Sequence, residues 1–342
     1  MISFRNDYSE GCIPEIMEYF TKTNLDNTSG YGEDEYCERA KVLLKKQLKN
    51  EKVDIHFLVG GTQTNLVFIS HALRPHQSVV AADSGHISTH ETGAIESTGH
   101  KVIEMATSGD GKLTVDIIEK AFMNDLPPHT VQNKMVYISN PTEVGTIYTK
   151  KELEQLSKYC KKNDLYLYLD GARLAMALTS EKNDISLSDY PKYVDAFYIG
   201  GTKCGALFGE ALIIINNNLK KDIGYIIKQK GALLAKGRLL GLQFEKLFQK
   251  NLYEKYGKHA NEMSRMLKDG FIKCGLTLKS DSYTNQQFLI LPNDLIEKLE
   301  KKYVFEFWEK EDESKSTIRF VTSWATKKSD ITTFLKELKS LM

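Results

Sequence analysis

The chain has 342 residues, enough to bury a large core as one sizeable domain or two. Its 46 lysines and arginines stand against 45 aspartates and glutamates, so charge gives no reason to expect nucleic acid or an anionic membrane as partner. The five cysteines (Cys12, Cys37, Cys160, Cys204, Cys274) are scattered without a Cys-x-x-Cys pair, which argues against a zinc site or disulfide framework and fits a reducing compartment.

The first 30 or so residues read as irregular and end in the turn Ser29-Gly30-Tyr31-Gly32. A helix follows from about Asp34 to Lys49, with Tyr36, Ala40, Leu43, Leu44 and Leu48 on its apolar side and lysines on a solvated face. Asp54 to Val59 reads as a buried strand, broken by Gly60-Gly61, and Thr64 to Leu73 as a helix. Then come a strand at Ser78–Ala82, a helix at Thr89–Ser97, and short strands at Lys101–Glu104 and Lys134–Ser139. A helix at Lys150–Asn163 leads to strands at Leu165–Leu169, Ala196–Ile199 and Ala211–Ile215. This alternation predicts an α/β domain with a mainly parallel sheet and crossover helices over residues 1–240. A long helical region from Lys236 to about Cys274 leads into a small C-terminal α+β domain over 241–342. Its strands are Gln287–Leu291 and Thr317–Thr322, closed by a helix at Lys328–Leu341. The polar N-terminus MISFRNDYSEG does not read as a signal peptide, and no stretch approaches the roughly 18 apolar residues of a membrane span. A cytoplasmic protein is expected.

Three sites fall at the C-terminal ends of predicted strands, where open α/β sheets place their ligands. Gly60-Gly61-Thr62 is a strand-to-helix turn. Its glycines permit close backbone approach, and the free N–H groups of the helix with the Thr62 hydroxyl suit a phosphate; an ordinary tight connection has the same look. Asp170 directly follows an apolar strand and faces the cleft, or else caps a helix. Lys203 follows a strand among glycines, with Thr202 before it. The segment lacks the first glycine of a Walker A loop, and no Gly-x-Gly-x-x-Gly follows the first strand, which counts against nucleotide and nicotinamide enzymes. Together the three meet the needs of pyridoxal 5′-phosphate: an amine for its aldehyde, a carboxylate to keep the pyridine nitrogen protonated, and a phosphate cradle.

At this point the sequence resembles the threonine aldolase and β-eliminating lyase family of fold-type-I pyridoxal-phosphate enzymes. The likeness runs from Asn6-Asp7 through Lys203 and reappears near Arg319. Asp170-Gly-Ala-Arg173 looks like the family's block in which Asp pairs with the ring nitrogen and Arg helps bind the substrate carboxylate. The resemblance gives Gly60, Gly61, Thr62 and Thr202 to the phosphate and Arg319 to the α-carboxylate. His86, with Glu91, would stack on the ring and organise proton transfer. Thr142-Glu143-Val144-Gly145-Thr146 is similar to low-specificity members. Departures are Asn6, where the family has a substrate-touching Ser, Gly60 in place of Ser, and Lys236 and Arg238 in a segment that normally holds Met-Arg-Gln.

The resemblance implies retro-aldol cleavage of a β-hydroxy-α-amino acid, L-threonine or L-allo-threonine, to glycine and an aldehyde. Catalytic roles fall to Lys203, His86 and Asp170, with Asn6, Arg173 and Arg319 on the substrate and no metal. Its rivals are β-elimination, racemisation or transamination on the same scaffold, and a non-catalytic protein that binds pyridoxal phosphate or an amino acid. The resemblance also implies a homodimer or homotetramer, with Tyr31 or Arg238 reaching a neighbouring chain.

Overall fold

Apolar runs bounded by turn formers become the strands of one seven-stranded sheet in the computed structural model, which describes residues 1–123 and 125–342. In chain order these strands are β1 (Asp54–Leu58), β2 (Gln77–Ala82), β3 (Val102–Met105), β4 (Gln132–Ser139), β5 (Tyr166–Asp170), β6 (Ala196–Gly200) and β7 (Glu210–Ile214). Across the sheet the order is β1-β7-β6-β5-β4-β2-β3. β7 runs antiparallel to β1 and β6, and the other pairs are parallel. Parallel strands need crossovers, and helices on both faces leave strands buried on both sides. Side chains alternate accordingly. Val136, Leu167, Leu169 and Phe197 pack into one core, while Met135, Tyr137, Tyr168 and Tyr198 pack into the other.

Residues beyond this sheet build a four-stranded antiparallel sheet, ordered Glu306–Lys310, Lys315–Val321, Gln286–Pro292, Thr277–Leu278. Its core joins Phe271, Leu289, Phe320 and Phe334 from this sheet and two helices, Leu252–Lys273 and Lys328–Leu341. The first of these helices serves both cores. Tyr253 and Ala260 pack under the large sheet, Leu267 and Phe271 under the small one. The architecture is the mainly parallel α/β layer with a smaller C-terminal α+β part that the alternation predicts. The chain's beginning is tied to its end. Ile2–Ser3 pairs in parallel with Tyr303–Val304, Phe4 N–H donates to the Val304 carbonyl at 2.7 Å, and Val321 N–H donates to the Phe4 carbonyl at 2.8 Å.

Four local expectations are corrected. The first 30 residues contain a helix, Pro14–Thr23, with Pro at its first turn; its apolar stripe is only Ile16 and Phe20, too short to stand out. The expected helix Thr89–Ser97 is helical only over His86–Thr89, because Thr92 (φ 53°) and Gly93 (φ 69°) turn the chain left-handed before the turn Glu96–Thr98. The helical region from Lys236 breaks into Arg238–Phe248 and Leu252–Lys273, where Lys250 (φ 53°) and Asn251 (φ 56°) do the same. The strand Glu306–Lys310 was not expected. Its charged residues Glu306, Glu309 and Lys310 belong to a strand at the edge of the sheet.

Helix Arg238–Phe248 meets helix Glu35–Leu48 backbone to backbone at Gly241, where a Cβ would lie 2.5 Å from Cys37 Cα. Gly241→Ala gains about 1 kcal/mol of helix propensity but forces the two backbones apart, at about 1–3 kcal/mol or more for overpacking. A lower melting temperature than the unmodified chain is expected in a calorimetric scan.

Candidate active site

The C-terminal ends of β5 and β6, the start of β7 and the loop after β1 surround a cavity of about 330 Å3. Asp170 closes β5 and is 4% exposed. Its Oδ1 accepts hydrogen bonds from the Tyr198 hydroxyl (2.5 Å) and the Ala172 N–H (3.0 Å). Its Oδ2 accepts from the Tyr137 hydroxyl (2.6 Å) and Asn65 Nδ2 (3.2 Å). Burial works to raise this carboxyl, but the nearby His86 and the donors from Tyr137, Tyr198 and Ala172 outweigh it and hold Asp170 below the ordinary carboxylate range. It is therefore a buried anion, fixed in orientation, facing the cavity. A protonated heterocyclic nitrogen is the partner such a group suits.

Lys203 sits in the turn Thr202–Cys204 that follows β6 and lines the same cavity. The turn is tight. Gly205 takes φ 100°, and a Cβ there would lie 2.7 Å from Ile13 Cγ2. Thr202 Oγ1 accepts from the Gly209 N–H at 3.0 Å, bracing the loop beneath the lysine. Gly60 precedes helix Gly61–Ala72, whose N-terminus no side chain caps, leaving its first N–H groups for an anion. At Gly61 a Cβ would meet the Tyr198 hydroxyl at 2.9 Å, so only glycine lets the helix end come this close. Gly60, Gly61 and Thr62 thus line the cavity with Lys203 and Asp170. An amine, a buried carboxylate and an uncapped helix end in one cavity fit pyridoxal phosphate.

His86 lines the cavity as well, and its Nδ1 bonds Glu91 Oε1 at 2.7 Å. Asn65 Nδ2 donates to the same Glu91 oxygen (2.7 Å), which links His86 to Asp170 through two buried side chains. Burial lowers the imidazole's proton affinity, yet the Glu91 bond and the Glu143 charge outweigh it and hold His86 above the ordinary histidine value. The His90 ring lies parallel to His86 at 5.6 Å and to Trp308 at 6.3 Å.

The two arginines differ. Arg173 is 6% exposed, and its Nε (2.7 Å) and Nη2 (3.1 Å) both donate to the Asp7 carboxylate. Burial would raise Asp7, but Arg173 and the charge of Lys203 hold it below the ordinary range. Arg319 has a long contact to Gln286 Oε1 (3.5 Å), the Trp308 ring 5.2 Å away and a buried Nε without a partner. Burial and the Arg173 charge lower its hold on its proton. A cation so placed, in the cavity wall and beside a second arginine, calls for an anion from outside.

Asn6 is not among the residues lining the cavity. Its Oδ1 accepts from Tyr8 N–H (3.0 Å) and Ser9 Oγ (2.8 Å) in a local turn, and the wall there is Tyr8. Arg238 Nη1 donates to the Asp26 carbonyl at 2.7 Å, Tyr31 lies against Lys228, and Lys236 is exposed; none of the three lines the cavity. Sequence reasoning missed Asn65, Tyr137 and Tyr198, which hold Asp170, and Asp7, which holds Arg173. Tyrosines recurring two residues before the ends of β4, β5 and β6 were the available signal.

The sequence pattern of the β-eliminating lyase family matches residues 3–293. Low specificity L-threonine aldolase of Pseudomonas aeruginosa is 29% identical over 99% of this chain and 97% of its own length. A solved structure of Leishmania major threonine aldolase superposes with a TM-score of 0.98 at 48% identity, covering 100% of this chain and 99% of that one. A Thermus thermophilus aspartate aminotransferase, 14% identical with a TM-score of 0.74 over 100% of this chain and 92% of its own, shares the fold.

Asp7→Asn would leave the Arg173 guanidinium buried and uncompensated, at a cost of about 3–5 kcal/mol. Because the folded Asp7 carboxyl is depressed, its stabilisation is full above the ordinary aspartate value, about 3.9, and is lost as pH falls through the lower folded value. Urea midpoints measured down the acid range should therefore fall less steeply in the Asn variant, from a lower plateau.

Proposed function

The chain belongs to the β-eliminating lyase family, and on that premise we propose that it is a pyridoxal-phosphate aldehyde-lyase acting on L-threonine or L-allo-threonine. It cleaves the substrate to glycine and acetaldehyde. The observation that carries this reading is the buried Asp170, held by four donors, in one cavity with Lys203 and with Arg319, which has no carboxylate partner among the described residues.

When bound, the cofactor supplies a carbonyl that the substrate's amine can attack and a ring that takes up the electron pair released at Cα. Lys203 would anchor that carbonyl and Asp170 would hold the ring nitrogen's proton. Gly60, Gly61, Thr62 and Thr202 would take the phosphate, and His86 would face the ring. Arg319 would grip the α-carboxylate with charge-assisted hydrogen bonds, and Arg173, whose Nε and Nη2 are taken by Asp7, would add its Nη1; the carboxylate's direction decides which bond at Cα is aligned for breaking. His86, or a water it holds, takes the β-hydroxyl proton as the Cα–Cβ bond breaks. Glu91 keeps the ring of His86 turned with Nδ1 inward, so Nε2 is the atom available to the substrate. Lys203 or water returns a proton to Cα. Asn6 would hold the turn that puts Tyr8 on the cavity wall, its Oδ1 accepting from the Tyr8 N–H.

Among the described residues, no helix is long and apolar enough to cross a membrane. The reading extends to a cytoplasmic homodimer or homotetramer. Its support is Tyr8 on the cavity wall and Leu207 in the loop after Lys203, left 54% and 43% exposed, as side chains awaiting a neighbour.

The purified chain with added pyridoxal phosphate should be yellow and release glycine and acetaldehyde from L-threonine. Lys203→Ala should lose the visible band. Colour that responds to amino acids without acetaldehyde would sink the aldolase reaction while keeping the cofactor. Arg319→Ala should keep the colour and raise KM about 10- to 100-fold, the worth of charge-assisted hydrogen bonds. Because His86 must be neutral to take a proton and its value is raised, kcat/KM should climb with pH through a limb above about 6.5. Glu91→Gln should move that limb to lower pH.

A further inference from the structure

One buried carboxyl in the cavity takes no part in this chemistry. Glu210 opens β7, is 3% exposed, and lies in register between Leu58, the last residue of β1, and Gly200, the last of β6. Those strands run on into Gly60-Gly61-Thr62 and Gly201-Thr202-Lys203, the two loops given to the phosphate, and Glu210 lines the cavity with them. Its Oε2 accepts from the Gly201 N–H at 2.9 Å, and the Thr202 hydroxyl also bonds it.

We propose that Glu210 is a further cofactor-binding residue, a neutral carboxylic acid that donates its hydrogen bond to the phosphate. The inference rests on the pyridoxal-phosphate reading and deepens it. Apart from Lys203, which the aldehyde would take, the two loops present neutral donors: N–H groups of an uncapped helix and threonine hydroxyls. The chain's cavity arginines belong elsewhere, Arg173 with Asp7 and Arg319 beside Trp308. A phosphate monoester carries nearly two negative charges at neutral pH. An ionised Glu210 would repel it and could only accept hydrogen bonds, whereas the protonated acid has an O–H to give.

The surroundings favour the acid. Burial drives the Glu210 carboxyl up to about 8, and the Thr202 and Gly201 bonds and the Lys203 charge offset this only in part. Asp170, a fixed anion on the neighbouring side, pushes the same way. The other titratable groups facing it, Tyr168, Tyr198, Tyr253 and Cys204, are all raised by burial and keep their protons. An arriving phosphate adds a further negative charge and favours the neutral form again.

The test uses pyridoxine 5′-phosphate and pyridoxine, which lack the aldehyde and cannot bond to Lys203. Both are titrated by protein fluorescence into the full chain freed of cofactor, from about pH 7 to about pH 9.5, a range spanning the raised Glu210. The ratio of the two dissociation constants isolates the phosphate, because the two ligands share the rest of their structure. Above pH of about 8 the phosphate's advantage should fall by about tenfold per pH unit, the slope of one coupled proton. In Glu210→Gln, an isostere that keeps an N–H donor, the advantage should stay level. A level ratio in the unmodified chain overturns the proposal, even if the variant does not fold. So does a variant that follows the same fall. The visible spectrum with pyridoxal phosphate separates the failures. If the unmodified chain never colours, the cofactor reading falls. If it colours with a level ratio, only the role of Glu210 falls.

Discussion

A carboxylate without water around it is the constraint on which the site is built. Asp170 is held below the ordinary carboxylate range in the interior because His86 lies near it and donors from four parts of the chain converge on its two oxygens. Two of those donors are tyrosines on β4 and β6, the strands flanking β5, and all three strands must be in register for the hydroxyls to reach. Burial keeps the protons on both phenols, so they act as donors. Electrostatics and sheet register are therefore one condition here. A slip of β4 by one residue would turn Tyr137 to the opposite face and leave an anion in the core with fewer partners.

The remaining charges answer to that anion and to each other. His86 is held by Glu91, and Glu91 by Asn65, which also touches Asp170. Arg173 is neutralised by Asp7, so its charge reaches Arg319 without a free anion between them. One pair is thus closed and the neighbouring cation left open. Such an arrangement binds an incoming carboxylate, because Asp7 is already committed to Arg173. Glu210, at the other end, avoids the same conflict by keeping its proton.

Much of this was legible in the amino-acid sequence. Asp170 and Lys203 stand out because a charge at the end of an apolar strand is unusual, and the turn glycines beside them mark where backbone approaches a ligand. The tyrosines were hidden by looking like ordinary strand residues. Period-two burial places them in the core, and nothing local says that their hydroxyls share a partner. Asp7 was hidden by distance, being 166 positions from Arg173 in the chain. The helix Thr89–Ser97 failed for a different reason. Its composition suits a helix, but Thr92 and Gly93 adopt left-handed backbone to bring Glu91 under His86.

The pairing of residues 2–4 with 303–321, and of Asp7 with Arg173, gives the molecule an order of completion. During synthesis residues 2–4 wait for their partners, since Val304 and Val321 are made long after them. The seven-stranded sheet, finished by Ile214, can close long before that. A nascent chain would then carry a formed sheet with Asp170 and Lys203 in position, while the N-terminal segment that neutralises Arg173 still lacked its anchoring strand. The segment that carries Asp7 to Arg173 is thus anchored only once residues 303–321 have been made.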